Sequence, residues 1–261
     1  MIKKLPVVFI AVLSLFVLAS CSSSGAGNLQ QDSVVFQESS DASANITGQQ
    51  GPTASNDFSP GIVVENNTVY VSDSVSKSAE YKTTEDLVSA SEFIFAGTCV
   101  SSTAFFQNDN LYTVSEVEVS KVYRGDLSKG SVVSVVEIGG RTTYGEYVQN
   151  CSIVKKDFES SEDLIPDSYN YVCGIDGYFP MNIGADVLLF TGDASGFLAG
   201  YEKPLYSAYG EYDGKLYKNG EGSYMKPNPS NKDEISFDND TQQIMVTDGE
   251  LDKMVLEKAP V

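Results

Sequence analysis

Hydrophobic residues are unevenly spread along this chain of 261 residues. Lys3 and Lys4 precede an apolar run, LPVVFIAVLSLFVL from Leu5 to Leu18, and small residues follow it. A basic start, an apolar middle and a small-residue end are the layout of an export signal, here spanning residues 1–20, and the run falls short of the ~20 residues a spanning helix needs. From Ser22 to about Pro60 the chain turns to Ser, Gly, Asn, Gln, Ala and Asp, with few aromatic residues. Such a composition buries too little apolar surface to offset its ordering entropy, so residues 21–60 are expected to form a disordered tether. A flexible chain of that length spans roughly 30–40 Å on average.

Beyond Gly61 the pattern favours strands. IVVENNTVYV (62–71) places two β-branched runs around Asn66-Asn67 and predicts a hairpin. TTEDLVSAS (83–91) predicts a short helix with Thr83 or Thr84 as N-cap and Leu87-Val88 as its apolar contact. FIFAGTCVSS (93–102) is apolar on both parities, as a strand covered on both faces would be. LYTVSEVEVSKVY (111–123) alternates with slips: Tyr112 and Val114 share one parity, Val117 and Val119 the other, and Val122 returns to the first. Two parity changes in one run suggest bulges that bend a long strand round a barrel. GSVVSVVEIGG (130–140), MNIGADVLLFTG (181–192) and GFLAGYEK (196–203) read as further strands, and LYSAYGEYDGKLYKNG (205–220) as a hairpin turning at Asp213-Gly214. Residues 221–247 are loop-like with one short strand at Gln243–Val246. TDGELDKMVLEK (247–258) closes the chain as a helix capped by Thr247 or Asp248, with Leu251, Met254 and Val255 on one face. The expected fold is mainly β, in a single domain over 61–261.

Two resemblances sharpen this picture. Leu18-Ala19-Ser20-Cys21 resembles the lipobox of bacterial lipoproteins, which implies cleavage before Cys21 and a diacylglyceryl group on its thiol. Two acyl chains anchor stably where one is marginal, so the resemblance implies a protein held in the cell membrane on its extracytoplasmic side. Further on, the order of a helix entering FIFAGTCV, a long strand ending KVYRGDL, the glycine pair of VVSVVEIGG and the stretch CGIDGYFPMNIGADVLLF resembles small OB-like barrels of the netrin and tissue-inhibitor-of-metalloproteinases type. It covers about 83–218 and implies an OB-like barrel with short flanking helices. In those inhibitors a free N-terminal cysteine chelates the protease metal. Cys21 carries lipid under the first resemblance and lies far upstream of the barrel, so the second implies a fold and not that function.

Charge and composition narrow the chemistry. Seventeen Lys and Arg against 36 Asp and Glu give a formal charge of −19, which repels nucleic acid and offers no basic cluster for an anionic membrane surface. There is no histidine, which removes the commonest general base, the usual partner of a catalytic Ser or Cys and the commonest zinc ligand. No dinucleotide or phosphate loop, no Gly-x-Ser-x-Gly and no zinc spacing is present, and no cofactor is implied.

Once Cys21 is assigned to lipid, Cys99, Cys151 and Cys173 remain. Export permits a disulfide, and Cys151–Cys173 would clip the insertion between the third and fourth strands, while Cys99 on the parity of Phe93 and Phe95 reads as a buried thiol. Arg124-Gly125-Asp126 spells the integrin-binding tripeptide, yet turn chemistry alone selects that composition. Ser74-Val75-Ser76-Lys77 and Ser152-Ile153-Val154-Lys155 match Ser-x-x-Lys without a helix to align them. Glu116 and Glu118 read as the wet face of a half-buried strand, and Asp238-Asn239-Asp240 lacks the Gly and distal Glu of an EF-hand. Of fifteen tyrosines, Tyr206, Tyr209 and Tyr212 form the candidate binding surface, the alternative being that these rings cover a barrel end. The expectation is a lipid-anchored, non-enzymatic envelope protein binding an extracellular protein or glycan. The alternatives are a carboxylate-based envelope hydrolase, or a structural or assembly lipoprotein without ligand.

Overall fold

The structure, a computed structural model, describes residues 61–74, 79–151, 165–210, 212–237 and 244–258. The export signal, Cys21, the tether, Ser152–Lys155 and Asp238–Asp240 lie outside those residues, as does Lys77.

Strands β1 (Gly61–Glu65) and β2 (Thr68–Asp73) form the hairpin at Asn66-Asn67, both at positive φ, the turn geometry that matches the twist of the flanking strands. Helix α1 (Thr84–Ala90) is set by a capping box: the Thr83 hydroxyl accepts from the Asp86 N–H while the Asp86 carboxylate accepts from the Thr83 N–H. Its Leu87 and Val88 are buried.

Next come the long strands β3 (Phe93–Gln107) and β4 (Asn110–Arg124), then β5 (Val132–Ile138), β6 (Gly140–Thr143), helix α2 (Tyr144–Asn150), β7 (Asn170–Ile175), β8 (Asp186–Asp193) and β9 (Leu205–Ala208). Five of these close a ring. β3 pairs with β4, β4 with β5 and β8 with β3, all antiparallel; β5 pairs parallel with β9, and β9 returns antiparallel to β8. The ring is an OB-like barrel. Phe95, Cys99, Val117, Val119, Val133, Val135, Met181, Val187, Leu189 and Tyr217 fill its interior. Register shifts leave Ser120 and Tyr123 of β4 and Val100 of β3 without Cα partners across the β3–β4 ladder. The Ser120 bulge lets Val119 and Val122 both face inward despite their odd spacing. The earlier slip, between Val114 and Val117, is no bulge on β4: Val114 packs on the outer face with Val136, Leu198 and Leu205. Gly97 allows a close approach of β3 and β4, since a Cβ there would lie 2.4 Å from the Glu118 carbonyl oxygen.

The free edge of β8 is divided between two partners. Thr191–Asp193 pair with β9 and close the barrel, while Val187–Leu189 pair with β10 (Lys215–Lys218), which leads on to β11 (Tyr224–Met225) and β12 (Met245–Val246). β9 and β10 therefore flank β8 and do not form the hairpin expected over 205–220. Residues 196–203 are likewise no strand: Leu198 and Tyr201 pack as a loop on the outer faces of β4 and β5, and the Gln107 amide holds the backbone at Phe197 and Ala199. Helix α3 (Asp248–Glu257) starts at a Thr247–Glu250 capping box and buries Leu251 against the cluster of α1, β3 and β8.

A second sheet runs β1-β2-β7-β6. Its β6 and β7, with α2, belong to the insertion that sequence alone left without structure. Val69, Val71, Tyr171 and Cys173 form its apolar face, joined by Leu111 from β4 and Tyr144 from α2.

Candidate functional site

Two places concentrate polar chemistry. The first is the end of the barrel interior. Val133, Val135 and Glu137 share the inward parity of β5, and Lys215 and Tyr217 share that of β10. Glu137 and Lys215 meet there with Nζ 2.5 Å from Oε1, both side chains 2% exposed. Lys215 also donates to the Phe179 carbonyl at 2.7 Å and lies 4.2 Å from the centre of the Tyr212 ring. Oε2 of Glu137 accepts from the Ser115 hydroxyl at 2.8 Å and the Met181 N–H at 3.0 Å. Burial is the larger influence on Lys215 and pushes its ammonium below the usual range; the Glu137 charge opposes it. Residues 227–237 strap this end, fixed by Arg141, which donates to Asp233 at 2.6 and 2.8 Å and to the Pro180 carbonyl at 2.8 Å. Both buried charges are fully engaged, so the cluster has no free acid or base to offer a ligand.

The second place is open. Parallel pairing of β5 with β9 begins only at Ser134 and Leu205. Below that point the strands part into a groove of about 360 Å³, roofed by the turn between β4 and β5 and by Lys203-Pro204. Its apolar lining is Leu127, Val132, Val133, Pro204 and Tyr206; its polar lining is Asp126, Ser128, Ser131, Ser134 and Lys203. The Tyr206 ring is braced edge-on by Phe93 at 4.9 Å and Phe95 at 6.3 Å between centroids. Ser134 accepts from the Tyr201 hydroxyl at 2.8 Å, leaving its own hydroxyl proton to donate. Lys203 reaches Glu116 at 3.2 Å, and that bond, with one from Ser101, holds the Glu116 carboxyl below the ordinary carboxylate range.

The three candidate tyrosines do not form one surface. Tyr206 lines the groove, Tyr209 packs edge-on against Tyr81 at 5.8 Å, and Tyr212 is 3% exposed with its hydroxyl donating to the Ile138 carbonyl. For Tyr212 the covering of a barrel end is what the structure shows, because inward parity on the approach to β10 leaves it beside Lys215. Arg124 is also committed: its guanidinium donates to the carbonyls of Val88 and Ser91 at the end of α1, while Gly125 takes φ +98° in the turn. The tripeptide therefore does not present a free arginine.

Cys99, Cys151 and Cys173 are buried free thiols, so the Cys151–Cys173 bridge is not formed in this structure. Burial pushes the Cys173 thiol up to about 12, and Tyr147 hydrogen-bonds to the Cys151 thiol. Among the described residues no group of three or more Cys, Asp or Glu side chains is placed to hold a metal ion. Sequence reasoning missed Glu137 and Lys215, although Glu137 continues the inward parity of Val133 and Val135. It also missed the groove, whose lining comes from the two ends of a parallel seam that no local pattern announces.

No protein-family model matches this chain, and no curated protein matches it either.

Proposed function

We propose that this chain is a lipid-anchored protein of the cell envelope, held at Cys21 on the extracytoplasmic side, whose barrel binds a neutral glycan in the groove between β5 and β9. The groove's lining supports the reading. A pyranose has an apolar face and a hydroxyl edge; Tyr206, Val132 and Pro204 offer an apolar floor, and Ser128, Ser131, Ser134, Asp126 and Lys203 offer donors and acceptors round it. Its volume falls at the lower end of the range of about 300–1,000 Å³ for small-ligand sites. A chain of net charge −19 disfavours an acidic glycan, and the one groove ammonium is already paired with Glu116. A carboxylate hydrolase would place two carboxyl groups about 5–10 Å apart across its cleft; Asp126 is the one carboxylate among the described lining residues.

The anchor is tested by metabolic labelling with a fatty-acid probe. Wild type takes the label and Cys21→Ala does not; equal labelling of both removes the anchor. Binding is tested by probing an array of neutral and acidic envelope oligosaccharides with the detergent-solubilised full chain. Retention on neutral glycans, lost with Val132→Glu, supports the groove. Retention on none, or on acidic glycans alone, rejects it.

A further inference from the structure

The Glu137–Lys215 pair is buried and in direct contact. Each side chain is 2% exposed, and Nζ lies 2.5 Å from Oε1. The other carboxylate oxygen, Oε2, faces two donors, the Ser115 hydroxyl at 2.8 Å and the Met181 N–H at 3.0 Å. The Phe179 carbonyl, 2.7 Å from Nζ, accepts one ammonium proton and orients the nitrogen. Rings of Tyr212 and Tyr217 lie on the far side, at 4.2 and 5.6 Å. The Met181 N–H also lies 3.3 Å from Oε1, so it spans the carboxylate and is nearer the oxygen remote from the cation, on which the Ser115 hydroxyl falls as well.

We propose that this site is a modification site, at which Lys215 Nζ and Glu137 Cδ condense to an amide that ties β10 to β5 through the barrel interior. The ammonium first passes one proton to Oε1, giving an amine and a carboxylic acid. The nitrogen lone pair then attacks Cδ, and the Cδ–Oε2 π pair moves onto Oε2, where Ser115 and Met181 stabilise the developing anion. The nitrogen gives a second proton to Oε1. The Cδ–Oε1 bond breaks with its electron pair on oxygen, Oε1 leaves as water, and the Cδ=Oε2 double bond re-forms. One amide and one water result from one amine and one acid, with no other reagent.

Three physical effects favour the step. Effective molarities of well-oriented groups reach about 10⁵–10⁸ M, which outweighs the competition of bulk water for the acyl carbon. Two donors aimed where charge develops act in a buried site, and removing one such donor typically slows acyl chemistry by about 10²–10³. Burial favours the neutral amine, in keeping with the lowered affinity of Lys215 for its proton. The amide would fasten the short β10, which meets β8 over only Lys215–Tyr217, to the opposite side of the barrel.

The full-length chain, purified from its membrane, denatured and digested with trypsin, reports the bond. Cleavage after Lys129 and Arg141 frees a Gly130–Arg141 peptide from an uncondensed chain. The expected result is that this peptide is missing, appears joined to the one carrying Lys215 at their summed mass less one water, and that cleavage after Lys215 is blocked. A wild-type digest with free Gly130–Arg141 and cleavage after Lys215 overturns the proposal, and it does so without any variant having to fold. Ser115→Ala keeps both reactants and is expected to slow joining by at least about tenfold; joining at the wild-type rate overturns the role given to Ser115.

Discussion

With Lys215 replaced by methionine, Glu137 stays beneath the Met181 N–H but loses its cation inside an apolar barrel. Removing one member of a buried pair costs roughly 3–5 kcal/mol, because the remaining charge has neither water nor partner. Lys215→Met should therefore be about 3–5 kcal/mol less stable than Lys215→Met with Glu137→Leu, two chains of which neither can form the amide; denaturant titration of the two checks this. The sulfur and phenol groups predict an alkaline limit. Cys173 is held up to about 12 against an ordinary value of 9.0, and burial pushes Tyr212 and Tyr217 well above 10.0. Below about pH 9 these groups are protonated in both folded and unfolded chains and exert no pH dependence. Above it the unfolded chain loses protons that the folded chain keeps, so stability falls as pH rises toward about 12, by about 1.4 kcal/mol per pH unit for each fully titrating group. Thermal melts across that window should show a steady loss; a flat profile would mean the groups are reached by solvent in the folded state.

Among the elements, the β3–β4 hairpin carries register shifts on both strands, and Gly97 lies between two of them at a close approach of the strands. Gly97→Ala places a methyl against the Glu118 carbonyl and a Val117 methyl, and overpacking of this kind costs about 1–3 kcal/mol. The fall should be visible as a lower denaturant midpoint. Elements whose signals are local were legible in the sequence. Thr83 with Asp86, Thr247 with Glu250 and Asn66-Asn67 each fix their own termini within a few residues. The alternation of Val133 and Val135 likewise locates β5. What could not be read depends on distant partners. Leu198 and Tyr201 look like strand positions until the outer faces of β4 and β5 claim them as loop. Asp213-Gly214 looks like a hairpin turn, yet the edge of β8 takes β9 and β10 separately. The second sheet is assembled from β1, β2, β6 and β7 by a parallel β2–β7 pairing, which no local pattern encodes.

For the whole molecule, a barrel sealed at one end and grooved along one seam follows from where polarity is placed. The sealed end uses its charges on each other: Glu137 on Lys215, Asp213 on Lys226, Asp233 on Arg141. The groove is lined by Ser128, Ser131, Ser134 and the Tyr206 ring, the groups on which the proposed ligand would rest. The most direct test is calorimetric titration of the full chain with a neutral oligosaccharide retained on the array, comparing wild type, Tyr206→Ala and Tyr209→Ala. Loss of the Tyr206 ring should weaken binding by roughly two- to tenfold, since an aromatic contact is worth about 0.5–1.5 kcal/mol, while Tyr209→Ala, which removes a ring packed on Tyr81, should leave affinity unchanged. Equal affinity for wild type and Tyr206→Ala would contradict the assignment of the groove as the binding site.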